Sequence, residues 1–273
     1  MLASCRARNK TEISREQLMT TCDQKDLFTY VLRLGDSGLV LGQRLSEWVG
    51  KAPMLEEEMA LANMALDMVG QARNFLSYAG EVEGRGRGED ALAMHRDVGS
   101  FSNLLLVEQP NRDFAYTMVR QYFYASFAER LFEQLQHSAD SRLAGIAAKA
   151  VKECRYHARH SGLWLVRLGD GTEESHQRVA RALEDLWPYT GELFEMDEVD
   201  RRLLEAGVAA DVQAMRTEWR EALNQVLVEA RLPLPSDEIW MHSGGRIGRH
   251  SEHLGHLLAT MQILPRSYPD ANW

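Results

Sequence analysis

Four long segments repeat their apolar residues every three or four positions, and no proline falls inside any of them. That pattern places one face of a helix against a core and leaves little room for a sheet. Residues 27–48 are apolar nearly all round, which predicts a helix buried on most faces. Gly35, Gly38 and Gly42 lie within it at spacings that gather them on one side, so a neighbouring helix is expected to approach closely there. A second helix is expected from Pro53 to about Gly80, with Ala62, Leu66, Val69, Ala72 and Leu76 as its stripe. A third, capped by Asn111, carries Phe114, Met118, Gln121, Ala125, Ala128, Phe132 and Leu135. The fourth has the clearest stripe: Leu143, Ala147, Ala150, Cys154, His157, Ser161, Leu165 and Leu168, halted by the turn at residues 169–171.

Two antiparallel pairs of such helices make an all-α, ferritin-like helical bundle with additional C-terminal helices. Between the pairs, residues 90–109 read as a short helix stopped by Pro110, with LLLVE at 104–108 inside it. After the bundle come a segment from Glu174 to Glu195 interrupted near Pro188, a helix from Asp211 to Arg231, and a last one from Ser251 to Ile263. Residues 1–25 read as a polar N-terminal tail, with Met19 as a second candidate start. Residues 26–265 read as one domain and 266–273 as a C-terminal tail.

The charge balance narrows the function classes. A net charge of −9 disfavours non-specific nucleic-acid binding. The GRGRG loop at 84–88 is flanked by acids and reads as solvated. No apolar run has membrane-spanning length. Three cysteines without Cys-x-x-Cys spacing fit a reducing compartment.

The interior carries polar residues that need partners. A di-iron carboxylate bundle takes a Glu from each of two helices and a Glu-x-x-His pair from each of the other two. That spacing aims both ligands of a pair at one metal site. Here Tyr156 stands three residues after Glu153 and His157 comes one position late; three residues after Asp67 stands Gly70. The one Glu-x-x-His, Glu173 with His176, follows a turn at a helix mouth, where capping is the simpler role. No catalytic residue and no metal ligand is therefore assigned. Asp36, Asp67, Gln71, Glu153 and His157 are expected to form a vestigial buried polar network. If Glu153 pairs with a buried charged partner, Glu153→Ala strands that partner and would cost about 3–5 kcal/mol. The glycine-rich stretch at 244–256 offers Arg246, Arg249, His250 and His253 as candidate contacts with a partner chain.

Five segments resemble a known family: YVLRLGDSGLVLGQRLSEW (30–48), ALANMALDMVGQARNFLSYA (60–79), FSNLLLVEQPNRDFA (101–115), KAVKECRYHARHSGLWLVRLGDGT (149–172) and GRIGRHSEHLGHLLATMQ (245–262). They are similar to the C subunits of bacterial phenylacetyl-CoA 1,2-epoxidases, the phenylacetate-CoA oxygenases, over roughly residues 26–264. The resemblance implies a structural, non-catalytic subunit of a cytoplasmic multicomponent monooxygenase of aerobic phenylacetate catabolism. It implies a homologous A subunit holding the di-iron centre and the CoA thioester. A small B subunit and a reductase with flavin and an iron–sulfur cluster complete such a system. No cofactor is implied for this chain. Two other readings stay open from the residues alone. One is a self-sufficient di-metal oxidase with atypical ligands drawn from Asp36, Asp67, Glu129, Glu153 and His157. The other is a ferritin-like binding module.

Overall fold

The computed structural model describes residues 21–269, and among them there are ten α-helices and no strand. Helices α1 (Thr21–Ser46) and α2 (Leu55–Glu83) form an antiparallel hairpin. Gly35 faces Phe75 and Leu76, Gly38 faces Met68 and Ala72, and Gly42 faces Ala65, Met68 and Val69. A Cβ on Gly38 would stand 3.3 Å from the Met68 carbonyl oxygen, so the absence of side chains is what lets the two backbones approach. The close approach expected from the glycine spacing is thus present.

Helices α4 (Phe114–Leu135) and α5 (Ser141–Gly169) form the second hairpin, with the short α3 (Glu89–Met94) between the pairs. Asp140 caps α5 by accepting the Leu143 amide at 2.8 Å. Seven of the eight residues in the α5 stripe are buried, Leu143 to Leu165, and Leu168 is half-buried. The hairpins meet where α2 and α5 run antiparallel, linked by Gln71 with Glu153 and Asp67 with His157. This is the ferritin-like bundle the pattern predicts.

The remaining helices cover its flanks. Helices α6 (Glu173–Leu186) and α8 (Met215–Glu229) lie on α4 and α5. Trp219 of α8 is buried against Trp187, Phe123 and Phe194 at ring separations of 5.2–6.0 Å. Helices α7 (Glu198–Glu205) and α9 (Glu252–Met261) pack on α1, and α10 (Ile263–Ser267) follows α9.

Several expectations are corrected. Residues 101–109 are not helical beyond isolated turns. They form an irregular strap buried almost throughout, because its amides are taken by side chains of other elements. Asp113, not Asn111, caps α4 by accepting the Tyr116 amide at 2.8 Å; Asn111 instead receives Arg120 and donates to the Arg44 carbonyl. Helix α8 starts at Met215, since Asp211 caps the preceding turn through the Ala214 amide. The last helix breaks at Gln262, whose buried amide donates to the Ala93 and Arg96 carbonyls. Helix α1 is under way at Thr21, ahead of the expected domain start at 26, and Arg202 of α7 grips its Asp26. The expected C-terminal tail begins inside α10, and its Arg266 docks on the Arg96 carbonyl. Residues 1–20 and 270–273, including Cys5, lie outside the described residues.

The helix contact yields a paired expectation. Gly38→Val drives a branched side chain into the α2 backbone and should cost about 1–3 kcal/mol in urea denaturation. Gly70→Ala, in the interior of α2 with nothing within 4 Å of an added Cβ, should stabilise by about 0.5–1 kcal/mol. Equal effects would contradict the assigned packing.

Candidate functional site

The acids of the α2–α5 seam are held by the chain's own side chains, Glu153 by both Gln71 and the exposed Lys149 at 3.6 Å, while the buried His157 Nδ1 has no partner. Asp67 is hydrogen-bonded to His157 Nε2 at 3.0 Å, and Glu57 to His160 Nε2 at 2.9 Å. Gln71 donates to Glu153 at 2.8 Å and lies 3.8 Å from the buried Cys154 thiol. Burial pushes that thiol well above the ordinary range, so it is a packing group and not a thiolate. The His157 ring is fully buried, while the Asp67 side chain is 36% exposed. Tyr156 points outward, and Glu129 is drawn off by Arg155 at 2.9 Å.

A di-iron centre is what this fold family suggests testing for, and the donor set does not fit one. Its acids are separated, each facing its own imidazole, amide or guanidinium. Among the described residues no three His, Cys, Asp or Glu side chains gather as a cation site. The Glu173/His176 pair is structural: His176 Nδ1 meets the Gly169 carbonyl at 2.7 Å, and Thr172 with Ser175 forms the capping box.

Asp36 lies elsewhere, in a second network that the strap completes. Its fully buried carboxylate receives two bonds from Arg96 and the Ser102 amide at 2.8 Å. Burial raises its carboxyl, opposed by Arg96 and that amide. Glu108 accepts the Ser251 amide at 2.8 Å, His250 Nδ1 at 3.1 Å and the Asn103 amide group at 3.2 Å. Glu192 accepts the backbone amides of Leu105 at 2.7 Å and Gly244 at 3.0 Å. Burial raises its carboxyl too, against these amides. Sequence reasoning missed Arg96, Glu108 and Glu192. The available signal was a carboxylate set within an apolar run, as in LLLVE and GELF.

Two of the four candidate contacts in the 244–256 stretch are engaged within the chain. Arg246 clasps Asp200 with two bonds of 2.6 and 2.7 Å and donates to the Glu195 carbonyl, so its charge is engaged within the chain. His250 has its side chain only 1% exposed and donates to Glu108 and to the Phe101 carbonyl at 2.9 Å. These two are therefore corrected as surface contacts. Arg249 is exposed and His253 half-buried. Gly245 sits where a Cβ would fall 2.3 Å from the Asn103 carbonyl, which is why the loop needs glycine there.

Two expectations follow. Asp36→Ala strands a buried guanidinium and should cost about 3–5 kcal/mol. Glu153 faces a neutral amide and not a buried charge, so Glu153→Ala should cost about 0.5–1.5 kcal/mol. Urea denaturation separates the two; equal costs would contradict the pairing. The second expectation concerns pH. Both His250 nitrogens face acceptors, which only the imidazolium satisfies. Burial lowers its pKa, but Glu108 and the Phe101 carbonyl together outweigh this and raise it above the usual 6.5. A raised folded-state pKa stabilises fully below the unfolded value and is lost as pH rises through the folded one. The stability advantage of wild type over His250→Gln should thus shrink as pH rises from the unfolded value of about 6.5 to the alkaline side of the raised pKa. An advantage that grows with pH would rule out the imidazolium.

The sequence comparisons agree with this architecture. The family described as "Phenylacetic acid catabolic protein" matches residues 7–273. A curated relative, the C subunit of the 1,2-phenylacetyl-CoA epoxidase from Escherichia coli (strain K12), is 51% identical over 247 residues, covering 90% of this chain and 99% of the relative. The extent of both matches places this chain in the phenylacetic acid catabolic protein family.

Proposed function

We propose that this chain is the non-catalytic structural subunit of a multicomponent phenylacetyl-CoA epoxidase, bound to a homologous di-iron A subunit. The observation that carries the reading is that the acids of the α2–α5 seam are each held by side chains of this chain. Asp67 with His157 and Gln71 with Glu153 close the bundle with the chain's own side chains, in a fold whose catalytic members bridge helices with metal. The similarity to a protein named as the C subunit of such an epoxidase supports the same reading. The expected B subunit and the flavin and iron–sulfur reductase belong to that complex, in the cytoplasm. Among the described residues no helix is long and apolar enough to cross a membrane.

A subunit without its own chemistry acts through its surface. The outer side of α2 exposes Leu55, Met59 and, against its expected place in the core stripe, Leu66, at spacings that keep them on one face. Tyr156 and Leu163 of α5 are also exposed, one helical step either side of His160, which is tied to Glu57 of α2. An apolar band across two antiparallel helices is the kind of surface on which another helical subunit packs. We assign this band to the A subunit, in place of Arg246 and His250, which are engaged inside.

Purified alone, the chain should carry no tightly bound iron and should not epoxidise phenylacetyl-CoA; activity should require the A subunit and the reductase. Tightly bound iron at about two per chain would favour the self-sufficient oxidase instead. Met59→Arg with Leu66→Arg should weaken co-purification with the A subunit at least tenfold while leaving the circular dichroism unchanged. Wild-type co-purification by this double variant would move the interface off α2, and a fully active, soluble A subunit on its own would remove the structural role.

A further inference from the structure

A cavity of about 50 Å³ lies between α1, α4, the strap and the start of α7, away from the α2–α5 seam. Its polar end is Arg33, whose side chain is 7% exposed. One guanidinium nitrogen, Nη2, bonds Asp197. Nη1 lies 3.7 Å from Asp200, beyond hydrogen-bond range, and Nε has no acceptor. The Tyr30 oxygen beside it accepts the Ala210 amide at 3.3 Å, leaving the hydroxyl proton free to donate. Most of the remaining wall is hydrocarbon, including Leu34, Phe127, Leu131 and Val212.

We infer that this cavity is a binding site for a short-chain monocarboxylate of up to four heavy atoms, such as formate or acetate. The cavity presents unmatched donors at one end and apolar groups at the other. Water can accept from Arg33 and donate to Asp200 or Ser37, which also line the cavity, but the hydrocarbon end of the wall offers it no partner. A carboxylate oxygen can accept a free N–H of Arg33 together with the Tyr30 hydroxyl, and a methyl group suits the apolar wall. The volume excludes longer acids and aromatic rings, since a cavity of about 150 Å³ is what benzene requires. Arg33 and Arg246 are balanced by Asp197 and Asp200, so no net charge draws the anion in. With at most four heavy atoms, affinity should fall between about 0.1 and 10 mM. This inference is independent of the proposed subunit role.

The test is the melting temperature of the purified full chain, titrated with sodium acetate against sodium chloride at constant ionic strength and pH 7. Saturation-transfer NMR on the acetate methyl group reports binding directly. Acetate should raise the melting temperature saturably and show transfer, whereas chloride and hexanoate should do neither. Arg33→Gln should abolish both signals. Because that variant removes an ion pair and can fail to fold, Leu34→Phe provides the second arm: it fills the cavity without touching the charges and should also abolish both signals. No saturable difference between acetate and chloride in the wild type, or an unchanged acetate response in folded Leu34→Phe, overturns the site.

Discussion

The irregular strap at 101–109 is held by three carboxylates that have no water to fall back on. A buried segment without helical or sheet hydrogen bonds leaves its amides and carbonyls to be satisfied by side chains. Asp36 takes the Ser102 amide, Glu192 takes Leu105, and Arg44 donates twice to the Glu108 carbonyl. The same acids reach outward to other elements: Asp36 to Arg96, Glu108 to His250 and Ser251, Glu192 to Gly244. One set of buried charges therefore fastens α1, the segment after α3, the turn after α6 and the 244–251 loop to the same strap. Losing any one of them leaves a charged or polar partner stranded in the interior, which is far more costly than losing a surface pair.

This division of labour bears on chemistry. A carboxylate engaged by a guanidinium or by backbone amides has its lone pairs directed at those donors, and a cation would have to displace them. The seam between α2 and α5 is different in kind. Its partners are imidazoles, an amide and the exposed Lys149, and Asp67 and Glu153 keep partial access to solvent. The seam closes the bundle; the strap network orders what surrounds it. Neither gathers acids and imidazoles around a common point among the described residues.

Part of this is legible in the residues. The α5 stripe from Leu143 to Leu165 is the buried face because the 3.6-residue period admits only one way to bury it. The mismatch of Glu153 with Tyr156, and of Asp67 with Gly70, is visible in spacing alone, and spacing fixes which helix face a side chain occupies. The three glycines of α1 announce a close neighbour for the same reason. The strap is illegible, because an apolar run of five residues looks alike as a helix, a strand or a buried loop. Asn111 has the residue type of a cap, yet Asp113 stands in the position that reaches the Tyr116 amide.

The helical class, the two hairpins and the lack of correctly spaced ligand pairs are written in the residues themselves, since periodicity and spacing are local properties of a chain. Which charges meet is a matter for the folded molecule alone. Asp36 and Arg96 are sixty residues apart, and Glu108 and His250 lie still farther. No local rule links such residues. It is also the fold that turns Arg246 and His250 inward and leaves Arg33 facing a cavity. Whether a charged side chain serves the surface or the interior depends on what the rest of the chain packs against it, and that is settled only when distant elements come together.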